Sequence, residues 1–276
     1  MTRYNDTDKI REQYDGVSPY YQSLWGEHLH HGYWIRGDET KEQAQVQLIE
    51  HLAQAAGLAS GRKILDVGCG FGGSSIYLAR KYHADATGIT ISPVQVEMAR
   101  KAASAAKVKA KFLLMDAQAM HLDQLFDVIW SIESISHYED KERFFTSAAK
   151  LLRPGGTLAI IDWFKKDNLH PAEHKKFIHP IEKGMLVELR TMEEYKAIFA
   201  SNRLHVTHCE ILNTHCAKSW DLALDIIKKK SFWALAAKLG PGFVGHLKAF
   251  RAMRAGYASA TFVYGLLVAK NPSMPS

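Results

Sequence analysis

The chain has 276 residues, 47% apolar and 23% charged, with a net charge of +6 and a pI near 9.0. That length suits one α/β domain with an added lid or cap, and the composition excludes a disordered or fibrous chain. The basic charge is scattered: its densest run, Lys228–Lys230, reads as a solvated helix end, and without a recognised motif no nucleic-acid partner is expected.

The N-terminus, Met1 to Asp8, is polar and carries no apolar signal core. Asp8 to Asp15 predicts a short amphipathic helix that Gly16-Val-Ser-Pro19 breaks. Trp25 to Trp34 (WGEHLHHGYW) holds three histidines and two tryptophans in ten residues. Its H-x-H-H spacing lacks a nearby Cys, Asp or Glu cluster to complete a ligand set, so no metal is expected. The segment reads as an aromatic and histidine loop under a lid. Lys41 to Ala55 predicts a helix with Ala44, Leu48, Leu52 and Ala55 along one face. Residues 1–60 together read as a helical lid.

Ile64 to Val67 is a short apolar run that breaks into Gly68, Gly70, Gly72 and Gly73 and resumes as Ser74–Arg80 with helical spacing. A buried strand, a tight turn and a helix are predicted. Glycine accepts positive φ and lets a ligand approach the backbone, and the helix start attracts anions. The spacing is G-x-G-x-G, although Gly68, Gly70 and Gly73 also satisfy the dinucleotide pattern G-x-G-x-x-G. Alternation then continues. Ala84–Ile91 is a second strand, Ser92-Pro93 starts a helix through Lys101, and Lys109–Met115 is a third strand. Phe126–Ser131 is a fourth strand, Lys141–Leu152 a helix closed by Arg153-Pro-Gly-Gly156, and Thr157–Asp162 a fifth strand.

Beyond Lys165 the pattern loosens into a cap. Thr191-Met-Glu-Glu194 fits a capping box, and Arg203–Ile211 predicts a sixth strand. Trp220–Tyr257 is mostly helical, broken at Gly240-Pro-Gly242. Its apolar set (Trp220, Leu224, Ile227, Phe232, Trp233, Leu235, Phe243) reads as core that partly lines an apolar pocket. Phe262–Ala269 is a last strand. The alternation predicts a doubly wound α/β sheet, with 61–165 as the nucleotide-binding core and 166–276 as cap and remaining strands of one integrated domain. No run is long and apolar enough for a membrane span. Cys69, Cys209 and Cys216 form no C-x-x-C pair, so neither a disulfide framework nor zinc is expected, and a cytoplasmic setting is natural.

Ligands of such sheets sit at the carboxyl ends of the strands. The acid that a dinucleotide fold places about twenty residues past its glycines is here Thr90, which argues against an NAD-dependent oxidoreductase. His137 lies in the loop after the fourth strand and can take a proton near neutrality. Asp162, ending the neighbouring strand, can orient it.

Several stretches carry a family resemblance. ILDVGCGFGG resembles the first motif of class I S-adenosylmethionine methyltransferases, with Asp66 as the acid at the strand end. HLHHGYW, GITISPVQ and WSIESISH are similar to segments of the γ-tocopherol and sterol methyltransferase-like group. The motifs lie between Trp25 and Asp162, and the rest matches in outline. The resemblance implies a Rossmann-like seven-stranded sheet with its last strand antiparallel. It implies S-adenosylmethionine as cofactor, held by Asp66, Gly68, Cys69, Gly70, Thr90, Ile91, Gln95, Asp116, Ala117, Gln118 and Ser131, with Tyr14 and Tyr21 of the lid above it. His30, His31, Tyr33, Glu133 and Trp163 are then acceptor-site candidates, and His137, Asp162 and Glu133 the catalytic ones. The expected activity is methyl transfer to a small apolar molecule. O-, C- and N-acceptors remain open, as does the oligomeric state. The alternatives are a methyltransferase fold that binds its ligand without methylating, as a cyclase or regulator, and the oxidoreductase.

Overall fold

The computed structural model describes residues 4–228, 232–233, 237 and 241–272, with the backbone alone over 241–248. Lys229, Lys230, Leu235, Gly240 and the Phe243 side chain therefore lie outside the described residues. Helix α1 (Thr7–Trp25) is capped by the Asp6 carboxylate, which accepts from Lys9 N at 3.1 Å. It runs through both Gly16 and Pro19, where the sequence predicts a break. An interior proline costs a helix roughly 3 kcal/mol, because it lacks an N–H and crowds the preceding turn. Tertiary contacts oppose that cost. Val17 and Ser18 are buried, Asp15 accepts from the Ser92 hydroxyl, and the Gln95 amide donates to Ser18 Oγ at 3.1 Å. Helix α2 (Lys41–Ala55) opens on a reciprocal capping box between Thr40 and Gln43 and buries Leu48, Ile49 and Leu52.

The strands are β1 (Lys63–Val67), β2 (Asp85–Thr90), β3 (Ala110–Leu114), β4 (Phe126–Ile132), β5 (Leu152–Lys165), β6 (His205–Ile211) and β7 (Phe262–Lys270). They form one seven-stranded sheet in the order β3-β2-β1-β4-β5-β7-β6. Strands β1 to β5 pair in parallel, and β7 lies antiparallel between β5 and β6. The expected fold class is the observed one. Strand β5 exceeds its sequence expectation at both ends: β7 pairs along it from Thr157↔Lys270 to Lys165↔Phe262 and carries it past Asp162, while its start at Leu152 pairs with Phe126 of β4.

Helices α3 (Gly73–Lys81), α4 (Pro93–Ala106), α5 (Lys141–Leu151) and α8 (Met192–Ser201) follow their strands or loops as the sequence predicts. Ser92 caps α4 with Pro93 at its first turn, Asp140 caps α5, and Thr191 with Glu194 forms the capping box of α8. Short turns α6 (Pro171–Glu173), α7 (His179–Met185) and α9 (Asn213–Cys216) precede α10 (Lys218–Ile227) and α11 (Pro241–Ala258). The central strands read as continuous apolar runs because both faces are covered. One face packs Leu48, Leu52, Trp130 and Tyr264, and the other packs Phe144, Phe145, Tyr195 and Phe199. Each such fully buried side chain contributes about 1.5–3 kcal/mol. Among the described residues no helix is long and apolar enough to cross a membrane. Strand order reverses between β1 and β4, which opens a crevice at their carboxyl ends.

Candidate active site

That crevice is a cavity of about 230 Å³, roofed by α1 and floored by the ends of β1, β2 and β4. The glycine turn makes its inner wall. Gly68, Gly70 and Gly72 have φ of +72°, +54° and +88°, a region that side chains resist. A Cβ on Gly68 would stand 1.9 Å from Ser134 Oγ, and one on Gly73 2.5 Å from the Glu27 carbonyl. The loop 27–31 therefore lies directly over the glycine turn.

Asp66, at the end of β1, is 2% exposed and accepts from Ser75 Oγ at 2.6 Å. Burial raises its pKa to about 6, against the hydrogen bonds from Ser75. Burial also raises the thiol pKa of Cys69 and puts the Tyr21 hydroxyl at about 12. Thr90 Oγ1 donates to Gln95 Oε1 at 2.7 Å, so these two share a bond at the rim while Gln95 also holds the lid through Ser18. Asp116 accepts from Gln118 N at 2.8 Å and so caps the 3₁₀ turn Ala117–Ala119, and Gln118 reaches Thr7 of the lid.

Glu133 sits at φ +54°, an uncommon conformation for a side-chain-bearing residue, just past β4. Its Oε1 accepts from His31 N at 2.7 Å, His31 Nδ1 at 2.7 Å and Tyr264 Oη at 2.6 Å. Burial alone would raise its pKa, but His31, His30 and Tyr264 outweigh that and hold it low. Glu133 is thus a carboxylate kept charged at the cavity wall. His137 lies on the 3₁₀ turn Ile135–His137 and is 7% exposed. Its Nδ1 faces the Leu186 carbonyl at 3.1 Å and its Nε2 the Tyr14 hydroxyl at 3.0 Å. A carbonyl can only accept, so the proton of the neutral ring sits on Nδ1 and Nε2 is the basic nitrogen.

The cavity brings together most residues that the sequence nominates: Asp66, Gly68, Cys69 and Gly70; Thr90, Ile91 and Gln95; Asp116, Ala117 and Gln118; Tyr14 and Tyr21; His30, His31, Glu133, His137 and Trp163. Three fall elsewhere. Ser131 is fully buried beneath the floor, donating to the Val67 carbonyl at 3.0 Å. Tyr33 points away and is stacked between His51 and His215, with ring centroids at 4.4 and 4.6 Å. Asp162 is fully buried, with a pKa raised to about 6 by burial, and accepts from Ser136 N at 3.0 Å and Trp163 N at 2.7 Å. It steadies the turn that carries His137, while the Nδ1 partner expected of it is the Leu186 carbonyl.

The sequence reading missed His28, Ser134, Tyr138 and Met185, which also line the cavity. Ser134 Oγ and Tyr138 Oη bond at 2.6 Å beneath Gly68. Their only signal was their place inside a motif whose other members stood out. Met185 comes from a cap segment without periodicity.

The residues present fit a cationic nucleoside cofactor. His28 Nδ1 and His30 Nε2 are buried in the wall without a hydrogen-bond partner among the described residues, which leaves polar atoms for a ligand. Burial lowers the His28 pKa to about 3, with His30 adding to the effect, so that ring is neutral. The charged groups among the described lining residues are Glu27, Asp66, Asp116 and Glu133, with no lysine or arginine. Such a field favours a sulfonium and an ammonium group. No group of metal-ligating side chains occurs among the described residues.

Comparison with known proteins agrees with this geometry. The family described as mycolic acid cyclopropane synthetase matches residues 1–236. The 27-O-demethylrifamycin SV methyltransferase of Amycolatopsis mediterranei (strain S699) is 33% identical over 269 residues, covering 96% of this chain and 97% of that one. The chloroplastic tocopherol O-methyltransferase of Arabidopsis thaliana is 30% identical over 290 residues, covering 95% and 82%. Among solved structures, the [4+2]-cyclase SpnF superposes with a TM-score of 0.85 at 23% identity, covering 97% of this chain and 96% of that one. Mycolic acid cyclopropane synthase CmaA1, complexed with SAH and CTAB, gives 0.85 at 21%, covering 95% and 97%. At those identities the structures establish the fold alone. The relatives matched over nearly the whole chain are methyltransferases, which disfavours the cyclase alternative. Motif, cavity and relatives thus place this chain in the mycolic acid cyclopropane synthetase family, as a class I methyltransferase that uses S-adenosylmethionine on small molecules.

Proposed function

We propose that the enzyme methylates a hydroxyl group of a neutral, largely apolar small molecule, with His137 as general base. The observation that carries this is the His137 ring: Nδ1 is held by a carbonyl, and Nε2 faces the cavity against a hydroxyl. An acceptor hydroxyl taking the place of the Tyr14 hydroxyl would meet the same basic nitrogen. S-adenosylmethionine supplies the methyl group as an electrophilic sulfonium. The glycine turn, Asp66 and Asp116 would hold that cofactor at the strand ends. Glu133 turns one oxygen to His31 and Tyr264, which leaves the other to orient the acceptor or face the positive charge. His137 Nε2 would accept the hydroxyl proton as the oxygen bonds to the methyl carbon and the carbon–sulfur bond breaks, its electron pair leaving on the sulfur of S-adenosylhomocysteine, and would later pass the proton to water. Much of the rate comes from holding the partners in near-attack geometry.

Neutrality of the acceptor follows from the wall. Trp25, Trp163, Met185, Trp220, Ile226 and Phe250 supply apolar surface, and the charged lining among the described residues is acidic. A phosphate or carboxylate on the acceptor, away from the backbone N–H groups of the glycine turn that would take the cofactor's own carboxylate, would lack a cationic partner among the described lining residues, a large penalty. The tocopherol relative is an O-methyltransferase by name and the rifamycin relative is named for a 27-O-demethyl substrate, which supports oxygen as the acceptor atom. Cytoplasmic secondary metabolism is the setting that suits this reading. The test is methyl transfer from labelled S-adenosylmethionine into pairs of acceptors that differ by one group. A prenylated phenol or hydroxylated macrolide should be methylated on oxygen, and its phosphorylated counterpart should not. Preference for the phosphorylated member of each pair would overturn the assignment.

A further inference from the structure

Lys141 is the first residue of α5, and its side chain is 0% exposed. An ammonium is seldom buried so completely without a task, because leaving water is expensive. Its Nζ donates to the Tyr138 carbonyl at 2.8 Å and to the Ser136 carbonyl at 3.4 Å. Those two carbonyls flank His137. The Tyr138 carbonyl also accepts from Asn5 Nδ2 at 2.8 Å, which ties the segment before α1 to the same point. The Ser136 carbonyl accepts from Glu188 N at 2.9 Å, and Ser136 N donates to Asp162. The charged groups around the ammonium are Glu188, with its carboxylate at 3.7 Å, and Arg190, Asp162 and Glu142. Burial lowers the Lys141 pKa to about 8, against the pull of Glu188.

We propose that Lys141, assisted by Asn5, is a positioning residue for methyl transfer: it clamps the backbone on both sides of His137 and so aims Nε2 into the cavity. Three features distinguish this from ordinary loop packing. The donors meet the carbonyls immediately before and after the base. The base itself is anchored through Leu186, two residues before Glu188, so Lys141 and the anchor belong to one network. Asn5 connects that network to the lid, so the base is fully aimed only when the N-terminal segment is seated.

The proposal rests on His137 acting as base, and a double-mutant cycle separates the two claims. Lys141→Met keeps the buried volume and removes the donors. Its kcat should fall roughly 10- to 100-fold, the scale of a misplaced catalytic group, while S-adenosylmethionine affinity by calorimetry stays within about twofold. In a His137→Ala background the same change should cost no further kcat. Equal losses in both backgrounds would mean a general structural role and would overturn the proposal. Wild-type kcat in Lys141→Met beside an impaired His137→Ala would overturn it and leave the base assignment standing. A fully active His137→Ala enzyme would remove both. Should Lys141→Met not fold, Asn5→Ala removes the second donor to the same carbonyl. A smaller loss, again absent from the His137→Ala background, is expected, and an equal loss in both contradicts the clamp.

Discussion

A buried carboxylate without a cation beside it either holds a proton or waits for a charged ligand. Asp66 is in that position, with a pKa raised to about 6. A raised carboxylate pKa means that between about pH 4 and 6 the folded chain binds more protons than the unfolded one, so this group's contribution to stability declines as pH rises through that window. A cationic cofactor reverses the preference, because it favours the ionised form. S-adenosylmethionine affinity should therefore be level above pH 6 and fall by up to about tenfold per pH unit below it. Calorimetry between pH 5 and 8 measures this, and Asp66→Asn should flatten the profile. A flat wild-type profile would detach Asp66 from the cofactor. At this scale the sequence told which residues line the cavity better than what they touch. His137 was legible from its motif and from its place after a strand. Its anchor was not, because Leu186 contributes a backbone carbonyl, which any residue type can offer. Tyr33 misled for a related reason: it shares a segment with His31, but its ring stacks on His51 and His215 outside the cavity.

The elements were more legible, and their errors have one cause. Caps and turns are local, so Ser92-Pro93, the Thr191 capping box and the glycine turn could be placed from sequence. Helix α1 and strand β5 were misjudged because partners distant in sequence override local preference: Ser92 and Gln95 for the one, β7 and Phe126 of β4 for the other. The glycine turn offers a sharp contrast between neighbours. Gly70→Ala meets only the end of Leu29, at 3.0 Å. It should stay folded, lose about 1–2 kcal/mol for the left-handed backbone, and weaken the cofactor whose wall it thickens. Gly68→Ala drives a methyl into Ser134 Oγ and must displace the Ser134–Tyr138 pair. Its denaturation midpoint should fall clearly further. Equal midpoints for the two variants would show that the turn relaxes freely and that the close approach is unimportant.

Across the whole molecule, α1 and the residues before it are fastened around the cavity rim rather than merely laid over it. Asn5 reaches Tyr138, Thr7 reaches Gln118, Tyr14 reaches His137, and Asp15 and Ser18 reach the start of α4. A ligand beneath that roof stabilises the closed form by mass action, by about 2.7 kcal/mol at a hundred times its Kd. Saturating S-adenosylmethionine should raise Tm by roughly 5–10 °C and slow hydrogen exchange in α1 more than in α8, which contributes no lining residue to the cavity. Asp15→Ala should reduce the protection of α1 without lowering that of the sheet. Uniform protection of α1 and α8 would argue that the roof does not close over the ligand.

The base assignment is tested most directly by the pH dependence of single-turnover methyl transfer to a neutral hydroxyl acceptor, in wild type and in His137→Ala. The account predicts a loss of about 10²–10⁴ in rate for the variant, with S-adenosylmethionine affinity unchanged. It also predicts a wild-type rate that falls on acidification, as Nε2 takes up a proton, and a variant that lacks this limb. A His137→Ala enzyme within a few-fold of wild type from pH 6 to 9 would contradict it and leave proximity alone as the source of the rate.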